Sequence, residues 1–357
     1  MITGEITGVE TRLTRLGVVL SPLPIPAEAE GVLNPAAVRD RTGRLLLYPR
    51  VVAQGNVSRI GRVIVHEDTA ERSYERCGYA LEPTEEYERR DAPGGYGCED
   101  PRVTFVPVLD AFVMVYTAFG PQGPRIAVAL SHDAFTWERL GLLDFSAKGL
   151  PCGDDKDGII FPEPVISPQG VRSLAFYHRP MLHISAENAQ AAIPVILSLP
   201  PEDRESTRIA YVPLAPVLED RKKLLVVAES ELVLSPSADW GTIKNGAGTP
   251  PIRTESGWLS IYHGVDPMPR DNGRMVFQYS AGLLIHDLER PHIVRFHSRT
   301  PILRPESDDE CVGIVNNVVF PTAIDPNEHP DSYDLYYGMA DSRIGRVRLE
   351  VLSVHYA

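Results

Sequence analysis

Cysteine is scarce in this chain, with four among 357 residues. Cys77, Cys98, Cys152 and Cys311 lie far apart and form no CxxC pair, which excludes the usual zinc-ligand spacing. They read as free thiols of a reducing cytoplasm, with a Cys77–Cys98 disulfide as the less favoured alternative. Positive charge is also in deficit: 35 Lys and Arg against 48 Asp and Glu leave a formal net charge of −13. That field repels nucleic acid and anionic membranes as a whole, though it permits a local cationic pocket. No apolar run approaches the ~18–20 residues needed to cross a bilayer. The opening MITGEITGVETRLTRLG has no basic start before an apolar core, so no secretory signal is expected and the protein is placed in the cytoplasm. HExxH and GxSxG motifs are missing. Lys244-Asn245-Gly246-Ala247-Gly248 lacks the P-loop order, and Asp154 to Gly158 fails the EF-hand pattern because Lys156 holds its third position. From that acidic loop, Lys156 or Asp157 is a candidate to line a site. No metal or cofactor is expected.

What the chain does contain is punctuation: 32 prolines and 28 glycines interrupt short apolar runs, the pattern of many strands joined by turns. Five segments share one design, an apolar run ending in tyrosine with a polar or glycine-bearing exit. They are RLLLYPR from Arg44, AFVMVYTAFG from Ala111, SLAFYHR from Ser173, WLSIYHG from Trp258 and YDLYYG from Tyr333. Their tyrosines, at 48, 116, 177, 262 and 336, are spaced by 72 residues on average. Strand-rich sequence with a long repeat and no extended helical periodicity predicts an all-β fold, a five-bladed β-propeller. The period exceeds the ~40–50 residues of regular propeller repeats, so long inter-blade loops are expected. Residues 1–357 are read as one catalytic domain with an insertion at about 181–229. Within it, Ser185 to Ala192 suggests a short helix, and Pro200 to Glu205 an exposed loop. Ser131 to Trp137 resembles a degenerate Asp-box turn in which Asp133 accepts turn N–H bonds and Trp137 packs between sheets.

The most informative local feature is Gly97-Cys98-Glu99-Asp100-Pro101-Arg102-Val103. Proline stiffens this turn and favours an extended Asp100. Successive side chains of an extended segment point to opposite faces, so Glu99 and Asp100 are expected to point apart. One carboxyl can then face a substrate while the scaffold holds the other. Taken alone, the motif reads as a surface Asp-Pro turn, and only its companions favour a site.

Its companions occur in a fixed order: Ser58-Arg59-Ile60-Gly61, DKDGIIFP from Asp155, His178-Arg179-Pro180, Gly-Ala-Gly-Thr-Pro-Pro from Gly246, WLSIYHGV from Trp258 and YYGMAD from Tyr336. Together with Glu99-Asp100-Pro101-Arg102, this set resembles glycoside hydrolase family 130, the β-mannoside phosphorylases and β-1,2-mannosidases, from about residue 34 to 345. The resemblance implies Asp100 as the general acid. It also implies that phosphorylases of the family hold phosphate with arginine, lysine and histidine side chains, which their hydrolase relatives lack in part.

Phosphate is already a nucleophile and needs cationic positioning, whereas an inverting hydrolase needs a second carboxylate to activate water. Arg125, Arg179 and Lys244 are the expected phosphate ligands, and Arg50, Ser58, Arg59, Glu99, Glu163, His263 and Asp341 the expected substrate ligands. Glu163 is also the first candidate base for the hydrolytic alternative. Arg125 reads equally as a strand-start ion pair and His263 as a satisfied strand-end histidine; Asp341 could cap a turn, but its place after the fifth YYG strand favours the pocket. Arg102 reads as a scaffold partner of Glu99 or another carboxylate. The expected activity is inverting phosphorolysis of a β-mannoside to mannose 1-phosphate, with inorganic phosphate as co-substrate. A β-mannoside hydrolase and a non-catalytic sugar-binding propeller are the alternatives. The expected partners are small-molecule mannosides and phosphate, with no nucleic acid or membrane; a homo-oligomer is left open.

Overall fold

Apolar runs whose alternate residues are buried on two faces become the central strands of this molecule. The computed structural model describes residues 4–67, 71–91, 94–146, 149–150, 153–184, 189–269 and 275–357. Strand β1 (Ile6–Leu20) is followed by an antiparallel meander of β2 (Gly31–Arg39), β3 (Leu45–Ala53), β4 (Val57–His66) and β5 (Ser73–Leu81). A second meander comprises β6 (Tyr96–Val106), β7 (Ala111–Gly120), β8 (Gly123–Ser131) and β9 (Glu138–Leu142). A short parallel pairing of Val57 and Ser58 with Tyr96 and Gly97 joins the two into one eight-stranded sheet. Gly97 is required there: at φ 123° a Cβ would lie 2.1 Å from the Ser58 carbonyl oxygen.

The third unit contains β10 (Asp155–Ile160), β11 (Val165–Ile166), β12 (Arg172–Pro180), β13 (Thr207–Pro213) and β14 (Glu229–Leu234). The fourth contains β15 (Lys244–Ala247), β16 (Ile252–Thr254), β17 (Gly257–Pro269), β18 (Met275–His286) and β19 (Val294–His297). The last, β20 (Val319–Pro326), β21 (Ser332–Met339) and β22 (Arg343–Tyr356), is completed by β1 on the outer edge of β22. Both ends of the chain are thereby held in one antiparallel sheet. The fold is all-β, and the helices among the described residues are short.

The repeated tyrosine motif falls on β3, β7, β12, β17 and β21, an inner strand of each unit, and all five tyrosines are buried. Strand alternation explains the uninterrupted apolar runs. On β3, Leu46 and Tyr48 pack with Cys98 and Tyr116 of the second unit, whereas Leu45 and Leu47 pack with Ala323, Tyr336 and Ile344 of the last. On β12, Leu174 and Phe176 meet Val113 and Val115 of β7, whereas Ala175 and Tyr177 meet Ala247 and Trp258 of the fourth unit. Leu259 and Ile261 of β17 pack with Leu335 and Tyr337 of β21. Each unit therefore shares an apolar layer with the next, and the last with the first.

The Ser131 to Trp137 turn forms as expected. Asp133 Oδ1 accepts the N–H groups of Phe135 and Thr136, both at 2.8 Å, and Ala134 takes the left-handed φ of 60°. Trp137 stands edge-on to Tyr48 at 5.6 Å. Other expectations need correction. The 181–229 segment is not all insertion, because β13 within it is an inner strand of the third sheet. The short helix forms at Ala189–Ser198; residues 185–188 of the expected helix, and Cys152, lie outside the described residues. Cys77, Cys98 and Cys311 are free thiols, so the Cys77–Cys98 disulfide is not formed. No helix among the described residues is long and apolar enough to cross a membrane.

Candidate active site

The inner strands deliver polar side chains through a recurring backbone device. Asn34, Asp100 and Asp157 lie on β2, β6 and β10, the first strand of their units, and all three adopt left-handed φ, at 44°, 45° and 59°. Pairing slips at each: between Leu33 and Ala36, Glu99 and Arg102, and Lys156 and Ile159. Asn and Asp tolerate this region better than other non-glycine residues, and bulges of this kind re-aim side chains.

The bulge overturns the expectation of an extended Asp100. Glu99 and Asp100 do not diverge but meet one guanidinium. Arg50 Nη2 donates to Glu99 Oε1 at 2.8 Å, Nη1 to Asp100 Oδ1 at 3.3 Å, and Nε to Ser58 Oγ at 2.9 Å. Asn34 Nδ2 donates to the same Asp100 oxygen at 2.9 Å, and Lys156 Nζ reaches Glu99 Oε2 at 3.0 Å. Burial opposes ionisation of Asp100, but Arg50, Lys156, Arg102 and the Asn34 amide outweigh it and hold the carboxyl below the ordinary range. Asp341, two residues past the end of β21 at φ 50°, behaves oppositely. Burial, with the negative charges of Asp100 and Glu99, pushes its carboxyl up to about 6 against the pull of Arg50 and Lys156.

Arg102 is fully buried and serves the scaffold through carbonyls rather than the carboxylate expected for it. It donates to the backbone oxygens of Asp100 at 2.9 Å and Gly248 at 3.1 Å, and so ties β6 to the loop after β15.

A second cluster lies on β10, β12, β15 and β17. Arg179 Nε donates to Asp157 Oδ2 at 2.6 Å and Arg179 Nη1 to Glu205; Lys244 Nζ lies 3.9 Å from the same Glu205 oxygen. His263 Nε2 is 3.7 Å from Asp157 Oδ2, and its ring packs on Phe320 at 4.5 Å. Burial, aided by Arg179, Lys244 and Arg102, pushes His263 down to about 3, so the imidazole is neutral. Asp157, despite burial, is held well below the usual carboxylate range by the Arg179 guanidinium that donates to it and by Arg102. Arg179 is oriented from behind: Asp155 accepts its backbone N–H at 2.9 Å and His178 Nδ1 at 2.7 Å, while His178 Nε2 meets Ser230 Oγ at 2.7 Å. Gly246 forms the floor, since a Cβ there would sit 2.1 Å from Asp157 Oδ2 and 2.5 Å from His263 Cε1.

Of the residues singled out in the sequence, Arg50, Ser58, Glu99, Asp100 and Asp341 group at the first cluster, and Arg179, Lys244 and His263 at the second. Three are placed elsewhere. Arg59 alternates away from Ser58 on β4, pairs with Glu82 at 3.3 Å and lies over Tyr79. Glu163 lies beyond the far end of β10, in a half-exposed pair with Arg253 at 2.9 Å. Arg125 donates to the Gly153 carbonyl at 2.9 Å, in the loop that leads into β10.

Two participants were missed. Asn34 precedes proline just as Asp100 does, and that parallel was the available signal. Glu205 falls in the stretch read as an exposed loop, yet its side chain is only 14% exposed and bound to Arg179.

The arrangement joins a buried carboxylate, able to exchange a proton, to a cationic cradle suited to an anion. A family model described as beta-1,4-mannooligosaccharide phosphorylase, glycoside hydrolase family 130, matches residues 5–185 and 214–354. The chain belongs to glycoside hydrolase family 130. It is 29% identical over 367 residues to the beta-1,2-mannobiose phosphorylase of Thermoanaerobacter sp. (strain X514), covering 97% of this chain and 99% of that one. Its fold matches the beta-1,2-mannobiose phosphorylase from Listeria innocua bound to beta-1,2-mannobiose, with a TM-score of 0.69 at 21% identity over 94% of this chain and 96% of that one. It also matches a structure described with the statement that this family of mannoside phosphorylases contains glycoside hydrolases that target beta-1,2 mannosidic linkages in Candida mannan, with a TM-score of 0.68 at 19% identity over 99% and 95%. The shared fold thus spans both reactions.

Proposed function

We propose that this protein is an inverting β-mannoside phosphorylase whose site lies at the centre of a five-bladed propeller. The five antiparallel units, each sharing a core layer with the next and the last with the first, support that architecture. We treat it as one catalytic domain; the family match breaks at residues 186–213, the region of the helix Ala189–Ser198.

The observation that carries the function is the pairing of two unlike clusters: Asp100 held by Arg50 and Asn34, and the cations Arg179 and Lys244 facing a single anionic group. Phosphate bound by Arg179 and Lys244 attacks the anomeric carbon as the bond to the leaving oxygen breaks. Asp100 passes a proton to that oxygen. Overall, the proton lost by hydrogen phosphate balances the one gained by the released alcohol, and the product is α-mannose 1-phosphate. Beside Arg50 and Lys156 Asp100 is ionised; an arriving dianion adds negative charge nearby and raises its proton affinity, so that the carboxyl takes up a proton before the bond breaks. Inorganic phosphate is a co-substrate, and the proposed chemistry calls for no cofactor. Hydrolysis would need a base opposite Asp100, and Glu163, paired with Arg253 beyond the far end of β10, is badly placed to supply it.

Product analysis with β-1,2- and β-1,4-linked mannobiose, with and without inorganic phosphate, tests the reading and assigns the linkage. Phosphate-dependent mannose 1-phosphate is the expected result. Free mannose at a rate indifferent to phosphate would overturn it.

A further inference from the structure

Glu205 is an anion lodged where the proposed reaction requires another. Its carboxylate accepts from Arg179 Nη1, lies 3.9 Å from Lys244 Nζ, and receives the Leu182 N–H at 3.3 Å. Phosphate cannot take both cations fully while this carboxylate remains between them.

The surroundings offer the side chain a second position. Glu205 and Arg208 line the same cavity of about 300 Å³, together with Arg204, His178 and Ser230. Arg208 reaches Ser230, through Nε to Oγ at 3.1 Å and Nη2 to the carbonyl oxygen at 3.2 Å, and no carboxylate in the described structure closes on it as Glu205 closes on Arg179. Burial holds its proton affinity below the ordinary arginine value, which Glu231 and Asp155 only partly offset. The Glu205 backbone is fixed meanwhile, because its carbonyl oxygen accepts the Asn245 N–H at 3.1 Å. The only move required is then a change of side-chain rotamer, with the Glu205 backbone held still just ahead of β13.

We infer that Glu205 is a movable carboxylate that competes with phosphate for Arg179 and Lys244, and that Arg208 receives it when phosphate binds. The inference rests on the phosphorolysis reading. While Glu205 occupies the cradle, only the fraction of molecules with the cradle vacated can bind phosphate, and apparent affinity falls by that fraction. Glu205 is thus a positioning and specificity residue for the anion, distinct from the residues that touch the sugar.

The test is a double-mutant cycle read by the phosphate KM with mannobiose saturating, and by calorimetric titration of inorganic phosphate into mannoside-free protein. Glu205→Gln keeps an acceptor for Leu182 N–H but removes the charge; the phosphate KM and dissociation constant are expected to fall about tenfold, with the mannoside KM moving far less. Arg208→Gln is expected to raise the phosphate KM about threefold in the wild-type background and to have no effect beside Glu205→Gln. Thermal melting with and without phosphate guards against misfolding, since phosphate should stabilise the Glu205→Gln variant more than the wild type. An unchanged or weaker phosphate affinity in Glu205→Gln overturns the competition. An Arg208 effect that persists without Glu205 overturns the second position. Loss of all turnover with phosphate still bound normally would make Glu205 a chemical participant instead. Wild-type turnover indifferent to phosphate is a separate result, and it overturns the phosphorolysis reading itself.

Discussion

Arg50 holds Asp100 and its neighbour Glu99 with the two ends of one guanidinium, at 3.3 Å and 2.8 Å. The pairing joins β3 to the bulge of β6 and leaves no carboxylate of the pair uncompensated. Removing one partner of a buried ion pair strands the other charge, at a cost of about 3–5 kcal/mol. Arg50→Gln is expected to lose stability of that order in chemical denaturation, and turnover with it. Arg50→Lys should recover little of either, because a single ammonium cannot reach Ser58, Glu99 and Asp100 in one planar fork. Near-wild-type stability in Arg50→Gln would show that Lys156 and Asn34 suffice for both carboxylates.

Asp100→Asn keeps the size of the side chain and the contact with Asn34 or Arg50, so the fold should survive. The expected loss is in chemistry, about 10²–10⁴-fold in turnover, the usual worth of a positioned acid. Mannoside binding measured by calorimetry should change far less than kcat. A variant that released mannose 1-phosphate at the wild-type rate would remove Asp100 from the mechanism.

The fold was readable because its repeat is written in apolar runs whose period follows from burial on both faces; Tyr48, Tyr116, Tyr177, Tyr262 and Tyr336 mark the same strand five times. The site was readable only in part. The rule that a residue before proline is extended failed at Asp100, where tertiary contacts override local preference. Arg102 binds its carbonyl oxygen, and Arg50 and Asn34 hold its carboxylate, in the left-handed region. Strand alternation separates Ser58, which meets Arg50, from Arg59, which does not, and a motif quoted whole cannot show that division. Glu205 follows Glu202 and Asp203, which are exposed; only the return of the chain into β13 draws it inward.

Asp341 and Asp100 share one field with opposite outcomes, and Asp341 should therefore shape stability against pH. Its carboxyl titrates near 6 in the folded protein and near the ordinary 3.8 when unfolded. Between those values the native state binds the extra proton, so this group's contribution weakens as pH rises from about 4 to 6. Above 6 the folded protein bears the full cost of a buried carboxylate. Asp341→Asn is expected to gain about 1–3 kcal/mol over wild type at pH 7.5, with the gain shrinking to nothing near pH 4. His263 and His286, buried with their proton affinities pushed down to about 3 and about 4, act in the opposite sense: their contribution is full above about 6.5 and lost in acid. Comparing variant and wild type at each pH cancels them. A stability difference that does not vary across pH 4 to 7.5 would refute the Asp341 assignment.

Glu163→Gln separates the site from its surroundings. The Glu163–Arg253 pair is half-exposed, and such pairs contribute about 0–1 kcal/mol. Denaturation midpoints and turnover should both stay close to wild type. Loss of activity in Glu163→Gln would bring this carboxylate back as a candidate base.

Gly246→Ala probes the second cluster without altering any charge. The added methyl would stand 2.1 Å from Asp157 Oδ2, 2.5 Å from His263 Cε1 and 2.9 Å from Arg179 Nε. His263 is packed on Phe320, and Asp157 and Arg179 are bonded to each other across β10 and β12, so the three cannot all retreat. The carboxylate of Asp157 has most to lose, because its 2.6 Å bond to Arg179 must open. Arg179 would then swing from the position that faces Glu205 and, in the proposed complex, phosphate. The phosphate KM should rise more than the mannoside KM, and melting should report a destabilisation of about 1–3 kcal/mol, the usual cost of overpacking. If both KM values rose together with no loss of stability, the glycine would be serving the sugar rather than the anion, and the division of the site into an acid cluster and an anion cluster would have to be redrawn.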